Sequence, residues 1–465
     1  MEKVSVLVAN YGTEGTAFID TARRSRKYNV DWVVYDRQAN PFNSDIAIDH
    51  VVGDMKDVDA IVAFARKHRD NLDFVYINHE DSIIAGARDR IEEATGIPVL
   101  CPTRDYAIEG SKVRQRYMFQ ELCPEVNPRF EVFTPTDGRP MHHVKDRFYR
   151  WLDELECQVA IKPDKPGQGK GVGVWGDHFQ TPQEAWEHFL SLYETGDMVI
   201  VEEKENCEEF SLNMISDGAK AYPVPRLVRD YKRAFQDDKG PNTGGMGAYS
   251  DTGLLPFVTE NEYRQAVEYG YKIFNHLKGP GNRNTNLLGI SPLYIAFAIT
   301  GKGLKIFEIN SRSANPEFIN LLPLMEDDII DVCLSIREGN LRPPTFRPMA
   351  TAGMYLVPEP YPDEDKLDRK IDLRETYRLS ENSGGKLFVY PSAMEKREDG
   401  DYALTSRTVY ILGIDNDIES ARHWSLRGMN TIKDSGFRYR NDVATRASIQ
   451  KSVEHATALR ASNRA

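Results

Sequence analysis

The chain has 465 residues, 40% of them hydrophobic and 28% charged, with a formal net charge of −12. A chain of this length outgrows a single core, so roughly two to four domains are expected. No apolar run of about eighteen residues occurs, which excludes a membrane-spanning helix, and the negative balance argues against nucleic acid as main partner, since phosphate backbones need a concentrated basic surface.

The chain enters directly on Val4-Ser5-Val6-Leu7-Val8, without the basic segment and long apolar core of a secretory signal, so the cytoplasm is the expected compartment. The apolar run 4–9, a turn at Gly12 to Gly15 and a helical stretch from Thr16 to Lys27 open a βαβ unit. The pattern continues through a strand at Trp32 to Tyr35, a helix over 57–69, a strand at Phe74 to Ile77, a helix over 81–95 and Pro98-Val99-Leu100, predicting an α/β domain over 1–104. Cys101, Cys123, Cys157, Cys207 and Cys333 are odd in number and scattered without ligand spacing, as reduced structural thiols would be. Residues 126–197 read as a small α+β lid: a strand at Gln158 to Lys162, a glycine-rich turn, a strand at Val172 to Trp175, a helix from Pro182 and a strand from Met198 to Glu202. Strands and helices with two loops of unusual composition, 229–250 and 308–318, follow to about 342; a mixed domain over 343–447 ends in a helix at Asp417 to Ser435. The basic cluster Arg438-Tyr439-Arg440 to Arg446 is either a contact for an anionic ligand or a solvated helix face, and 448–465 is polar and weakly patterned, as a fraying tail would be.

Four segments carry chemistry. Lys165 to Gly173 holds four glycines and Lys170 between two strands, which suits a flap over a polyphosphate; a strand follows it, so it is no Walker loop. A glycine-rich hairpin alone is more often structural, and the weight here comes from Lys162, at the end of an apolar strand, where an ammonium needs an anionic partner. Val199 to Lys204 runs from an apolar strand into carboxylates and leads to Glu208-Glu209-Phe210-Ser211; this is either solvated surface or a hinge that offers backbone groups to adenine and a glutamate to ribose. Glu308 and Asn310 end an apolar strand with both side chains on one face, as hard oxygen ligands for Mg²⁺ (or Mn²⁺), and Arg312 shares that face if the extension lasts. Asp230-Tyr231-Lys232-Arg233, followed by the glycine-rich Gly240 to Ser250, has the composition of an anion-binding nest.

These segments, with Glu109-Gly110-Ser111-Lys112, Pro316-Glu317, Val409 to Ile414, Arg440-Asn441-Asp442 and Arg446-Ala447, resemble the phosphoribosylamine–glycine ligase family, or glycinamide ribonucleotide synthetases, of the ATP-grasp superfamily. The resemblance implies a multidomain fold of α/β and α+β parts. An N-terminal α/β (pre-ATP-grasp) domain spans 1–104, the central ATP-grasp domain 105–125 and 198–342, its lid 126–197, a mixed C-terminal domain 343–447 and a polar tail 448–465. It places ATP against Lys112, Lys162, Gly169, Lys170, Gly171, Glu202, Glu203, Lys204 and Glu209, and the metal on Glu308 and Asn310. It gives catalytic roles to Arg312, Asp230, Lys232, Arg233 and Asn242, and substrate contacts to Gly12, Thr13, Gly244, Gly245, Met246, Asn315 and Pro316. The reaction it implies transfers a phosphoryl group from ATP to a carboxylate, giving an acyl phosphate that an amine captures as an amide, in a monomer or homodimer without nucleic-acid or membrane partners.

Departures from the family pattern fall on the substrate side. Where the family has Gly-Gly-Arg-Glu-His the chain has Thr13-Glu14-Gly15-Thr16; Asp-His-Lys-Arg becomes Asp230-Tyr231-Lys232-Arg233, and Arg-Phe-Gly-Asp-Pro-Glu becomes Arg312-Ser313-Ala314-Asn315-Pro316-Glu317. Two C-terminal motifs are altered as well, to Pro360-Tyr361-Pro362-Asp363 and Val389-Tyr390-Pro391-Ser392. With the ATP-facing positions kept, the expectation is a ligase with an altered acid or amine. Its rivals are the family reaction on glycine, an amino acid, with phosphoribosylamine, and a regulatory protein that binds ATP without turnover.

Overall fold

The computed structural model describes residues 1–167, 171–278, 286–363 and 368–462. Packing divides the chain into two units, one of Met1–Ala107, Phe210–Tyr294 and Asn310–Val453, the other of Ile108–Glu209, Ile295–Ile309 and Glu454–Ala465.

In the first unit the apolar runs of the N-terminal region form a five-stranded sheet in the order Ala47–Val52, Tyr28–Asp36, Glu2–Ala9, Phe74–Ile77, Val99–Leu100. Every pairing is parallel, and both faces are covered, as the near-continuous Val/Ile/Leu content of the strands requires. Strand order reverses between Glu2–Ala9 and Phe74–Ile77, and a doubly wound sheet opens its crevice at the carboxyl ends of such a pair. The helix expected from Thr16 already begins at Thr13 and ends at Ala22, so Glu14 sits in a first turn whose N–H groups favour a carboxylate. The helical pattern over 81–95 is two helices, Glu80–Ile84 and Ala87–Thr95, broken at the left-handed Gly86.

The same unit holds an antiparallel sheet in the order Arg229–Asp230, Gly247–Ser250, Ala350–Pro358, Val409–Asp415, Leu387–Pro391, with Phe437–Arg438 beside Ala350–Pro358. The helix expected at Asp417 to Ser435 is Ile418–Met429, with Asp417 as its N-cap. The segment 239–250, read from composition as a loop, is largely strand: Lys239–Asn242 pairs with Arg233–Phe235, and Gly247–Ser250 enters the antiparallel sheet.

In the second unit an antiparallel sheet runs in the order Phe130–Phe133, Val199–Glu203, Val159–Pro163, Gly173–Val174. The helices Met141–Glu154 and Pro182–Tyr193 pack on it through an aromatic core of Phe133, Phe148, Trp186 and Phe189. The second helix begins in a capping box made by Thr181 and Glu184. The weakly patterned C-terminal stretch is also helical, Arg446–Ser462. All five cysteines are free thiols, and among the described residues no helix is long and apolar enough to cross a membrane.

Candidate active site

In the second unit, Ser111 caps the helix Lys112–Leu122 by accepting from the Arg114 N–H, which sets Lys112 at the first helical position. Asp164 fixes that end: its carboxylate accepts from the Ser111 hydroxyl at 2.8 Å and the Val113 N–H at 2.9 Å. The Lys112 ammonium donates to the Lys165 carbonyl at 3.0 Å, at the root of the glycine-rich flap. Burial lowers the Lys112 pKa, as does neighbouring Lys162, while Glu308, Glu202 and Asp164 oppose the shift. These five charged groups therefore form one electrostatic cluster. Gly169 and Lys170 lie outside the described residues; Gly171 has a positive φ of 81° and its carbonyl is 3.1 Å from His188 Nε2.

The anionic partner required at Lys162 is a protein carboxylate. Lys162 Nζ donates to Glu202 Oε2 at 2.7 Å. Arg116 binds the same carboxylate through Nε at 2.8 Å and Nη2 at 3.1 Å, and also donates to the carbonyls of Ile306 and Phe307. Burial opposes ionisation of Glu202, but the Arg116 and Lys162 charges overcome it and bring the carboxyl down to about 2. Lys162 is thus held by Glu202, and its ammonium keeps two further protons to donate.

The expectation that Glu202, Glu203 and Lys204 face adenine is changed for their side chains. Glu202 is in the buried ion pair, Glu203 pairs with Arg129 and Lys302, and the Lys204 ammonium donates to the Trp175 carbonyl at 2.5 Å. The N–H groups of Glu203 and Lys204 are engaged by the carbonyls of Arg129 and Gln158. Glu209 is half-buried on the strand Cys207–Asp217. Glu308, half-buried, lies near the end of the strand Gly303–Asn310, whose Ile309 backbone is clamped on both sides by the Gln115 amide at 2.8 and 3.0 Å. Glu308 and the half-buried Asn310 offer oxygen donors two residues apart; among the described residues no three His, Cys, Asp or Glu side chains gather as a metal site.

In the first unit the crevice loops bring Thr13, Glu14 and Glu80 together with Arg312. Arg312 Nε is 3.5 Å from Glu80 Oε2, and Arg312 donates to the Ser313 carbonyl. Thr13 is fully buried: its hydroxyl accepts from the Asn315 amide at 2.9 Å and bonds the Tyr355 hydroxyl, which donates to Asn315 Oδ1 at 2.5 Å. Thr13 and Asn315, expected to touch substrate, thus use their side chains on each other and on Tyr355. Burial pushes the Glu14 carboxyl up, and Arg312 and Arg407 pull it down. Arg407 donates to the carbonyls of Gly244 at 2.5 Å and Gly245 at 3.1 Å and stacks over Tyr355; Arg37 lies over Tyr11, 5.4 Å from its ring centre. Three guanidinium groups therefore lie around Tyr11 and the first helical turn that holds Thr13 and Glu14.

The nest expected at 240–250 is largely closed. The N–H of Thr243 donates to the Lys232 carbonyl, that of Gly245 to the Thr243 hydroxyl and that of Met246 to the Tyr231 carbonyl. Met246, expected at the substrate, is fully buried in the core. Gly245 is required sterically: its φ is 101°, and a Cβ there would stand 2.5 Å from Pro316 Cδ. Asn242 opposes Arg233 in the small hairpin, and Arg233 donates to the Gly240 carbonyl. Asp230, Lys232 and Arg233 are half-buried.

Composition and spacing passed over Arg116, Gln115, Asp164, Arg407, Tyr355 and Glu317 as working groups. Glu317 is buried beside Asp230 and Lys232 and accepts from the Tyr294 hydroxyl at 2.7 Å. Burial, then the Asp230 charge, raises its carboxyl from 4.5 to about 7. A raised carboxyl binds its proton more tightly in the folded state, so this group costs stability as pH climbs from 4.5 to about 7. Glu317→Gln keeps an acceptor for Tyr294 and removes that ionisation. Its thermal midpoint, measured against the wild type, should gain across this window and level off above it; a difference independent of pH would refute the assignment.

Residues 138–318 match the protein-family model described as Phosphoribosylglycinamide synthetase, ATP-grasp (A) domain. The phosphoribosylamine–glycine ligase of Methanococcoides burtonii is 33% identical over 462 residues, covering 98% of this chain and 100% of the relative. That of Pyrococcus furiosus is 32% identical over 437 residues, 93% of each chain. Among solved structures, phosphoribosylamine–glycine ligase from Thermotoga maritima superposes with a TM-score of 0.72 at 20% identity, over 94% of this chain and 100% of that one. N5-carboxyaminoimidazole synthetase from Staphylococcus aureus gives 0.61 at 12% identity, over 92% and 98%. Matched along nearly its whole length at this identity, the chain belongs to the phosphoribosylamine–glycine ligase family and is an ATP-grasp carbon–nitrogen ligase that acts on small molecules with ATP and a divalent metal.

Proposed function

We propose that the chain joins the carboxylate of glycine to the amine of phosphoribosylamine, as its relatives are named to do, in the cytoplasm. The observation that carries this reading is the set of Arg37, Arg312 and Arg407 around the segment Tyr11–Glu14. From sequence, Glu14 stands where a phosphate ligand is expected and repels an anion. With burial favouring its neutral form, Arg312 and Arg407 acting on it and Arg37 over the neighbouring Tyr11, the surroundings of this segment are cationic and suit a phosphate-bearing amine.

Lys112 and Lys162 are the cations for the nucleotide phosphates, and Glu209 accepts from the ribose hydroxyls. Glu308 and Asn310 hold the metal, Mg²⁺ in preference, because hard oxygen donors few in number leave sites for phosphate oxygens and water. When bound, that ion neutralises charge on the phosphoryl group in transfer. Arg312, braced by Glu80, faces the acid's carboxylate, and the neighbouring carboxyls of Asp230 and Glu317 suit the ammonium of an amino acid.

A different acid or amine is the second reading. It is favoured by Asn315, whose amide is engaged by Thr13 and Tyr355 where the family motif has an acidic residue. ADP release measured against a panel of amino acids and small carboxylates, each with and without phosphoribosylamine or other amines, separates the two. Turnover that requires glycine and phosphoribosylamine together is the expected result; efficient turnover with another pair and none with these sinks the proposal.

A further inference from the structure

From Glu454 onward the helix Arg446–Ser462 belongs to the same unit as Lys112, Lys162 and Glu308. His455 Nδ1 lies 2.8 Å from Glu208 Oε1, and the Glu208 side chain is 9% exposed. A carboxylate can only accept, so the ring donates its Nδ1 proton. Farther along the same helix face, Leu459 and Ser462 lie against the turn that precedes the strand Gly303–Asn310. A Cβ on Gly301 would stand 2.8 Å from Ser462 Oγ and 3.8 Å from the Leu459 carbonyl oxygen. Positions 455, 459 and 462 are spaced four and three apart, one stripe of a helix. Ala456 and Leu459 on this helix are buried.

This helix therefore holds two strands at once: the beginning of Cys207–Asp217, through Glu208, and the hairpin whose second strand leads to Glu308. Successive residues of a strand point to opposite faces, so Glu208 and Glu209 diverge from adjacent positions. A buried carboxylate fixed on one face sets the backbone from which its neighbour projects on the other.

We propose that His455 is a positioning residue for nucleotide binding. By donating to Glu208 it fixes the start of the strand Cys207–Asp217, from which Glu209 presents its carboxylate to the ribose hydroxyls. This rests on the reading of Glu209 as the ribose ligand. The role needs a donor at the Nδ1 position and does not need the imidazole ring, and it acts on nucleotide affinity without touching the acid or the amine.

The test is ADP and ATP binding to the full chain, measured by calorimetry alongside steady-state kinetics and thermal unfolding. His455→Ala should weaken both nucleotides by about three- to tenfold, the range for losing one ordinary hydrogen bond, because the contact reaches the nucleotide only through the strand. KM for ATP should rise in proportion, while kcat at saturating ATP and KM for the other two substrates stay put. His455→Asn, whose amide N–H falls near the place of Nδ1–H, should restore most of the affinity. Glu208→Gln removes the charge from the strand side without altering the helix; it should move nucleotide affinity in the same direction and reports even if His455→Ala does not fold. Folded variants with a lower unfolding midpoint and unchanged nucleotide affinity would reduce the contact to docking and overturn the proposal. Glu209→Gln is measured in parallel: no effect on nucleotide binding overturns the ribose reading and the proposal with it, whereas a loss there with none at His455 and Glu208 overturns the proposal alone.

Discussion

Glu308→Gln is expected to lower turnover by about a hundredfold or more, the scale on which a preorganised electrostatic contact to a developing charge is lost. The substitution keeps the shape of the side chain and one oxygen, so the strand Gly303–Asn310 and the Gln115 clamp on Ile309 should be undisturbed. It removes the negative charge that, in the proposed site, would hold the divalent ion. It also removes one of the charges that support protonation of Lys112, whose pKa burial already lowers, so the phosphate side of the cluster is weakened in the same direction. The measurement is kcat against total Mg²⁺ and Mn²⁺: the variant should need far more metal and stay slow at saturation, with its unfolding midpoint near that of the wild type. Unchanged turnover would show that the ion is bound elsewhere.

Arg116→Met should be the most destabilising single change in the second unit. The Arg116 and Glu202 side chains are each 2% exposed and joined by two hydrogen bonds. Removing the guanidinium leaves a buried carboxylate with Lys162 alone and takes the donors from the carbonyls of Ile306 and Phe307. Breaking one side of a buried ion pair costs about 3–5 kcal/mol. Arg116→Lys should recover little, since an ammonium cannot reproduce the forked contact. The pair also gives stability a pH signature. The Glu202 carboxyl falls from 4.5 to about 2 in the folded state, so its contribution is complete above 4.5 and lost as pH falls towards 2. Urea unfolding of wild type and Arg116→Met at several pH values tests both points: the gap between them should narrow over that acid window. Equal stability at neutral pH would mean that Glu202 is satisfied without Arg116.

Much of the fold was legible because hydrophobic periodicity survives in it. The parallel strands of the N-terminal sheet read as unbroken apolar runs since both their faces are buried, and Asp417 marked the start of its helix. Boundaries went wrong where a single turn decides them: the helix at Thr13 begins three residues before the expected Thr16, and the chain breaks at Gly86 in a left-handed conformation. The stretch 448–462 read as weakly patterned because its buried face mixes Ala456 and Leu459 with the polar contacts of His455 and Ser462 rather than presenting a continuous apolar stripe.

For the site, residue type was legible and partnership was not. The need of Lys162 for an anion follows from its place at the end of an apolar strand, and the resemblance sets that lysine against a phosphate; that the adjacent strand also supplies Glu202, forty residues on, is not legible in the sequence. Alternation says which face a side chain takes, not what stands opposite. The glycines of 240–250 suggested open N–H groups, and the hairpin pairing of Lys239–Asn242 together with the carbonyls of Tyr231 and Lys232 uses several of them.

The sequence by itself determined the alternation of strands and helices, the ATP-grasp resemblance with its lysines and the strand-end Glu308 and Asn310, because these are local patterns of a few residues. It took the tertiary structure to show that Arg116 neutralises Glu202, that Arg407 joins Arg312 at Glu14 while Arg37 lies over Tyr11, that Thr13 and Asn315 bond each other, and that His455 reaches Glu208. Each of these joins residues far apart in the chain, and a contact closed over so long a loop leaves no periodic mark in the sequence; it exists only once the sheets and helices have packed.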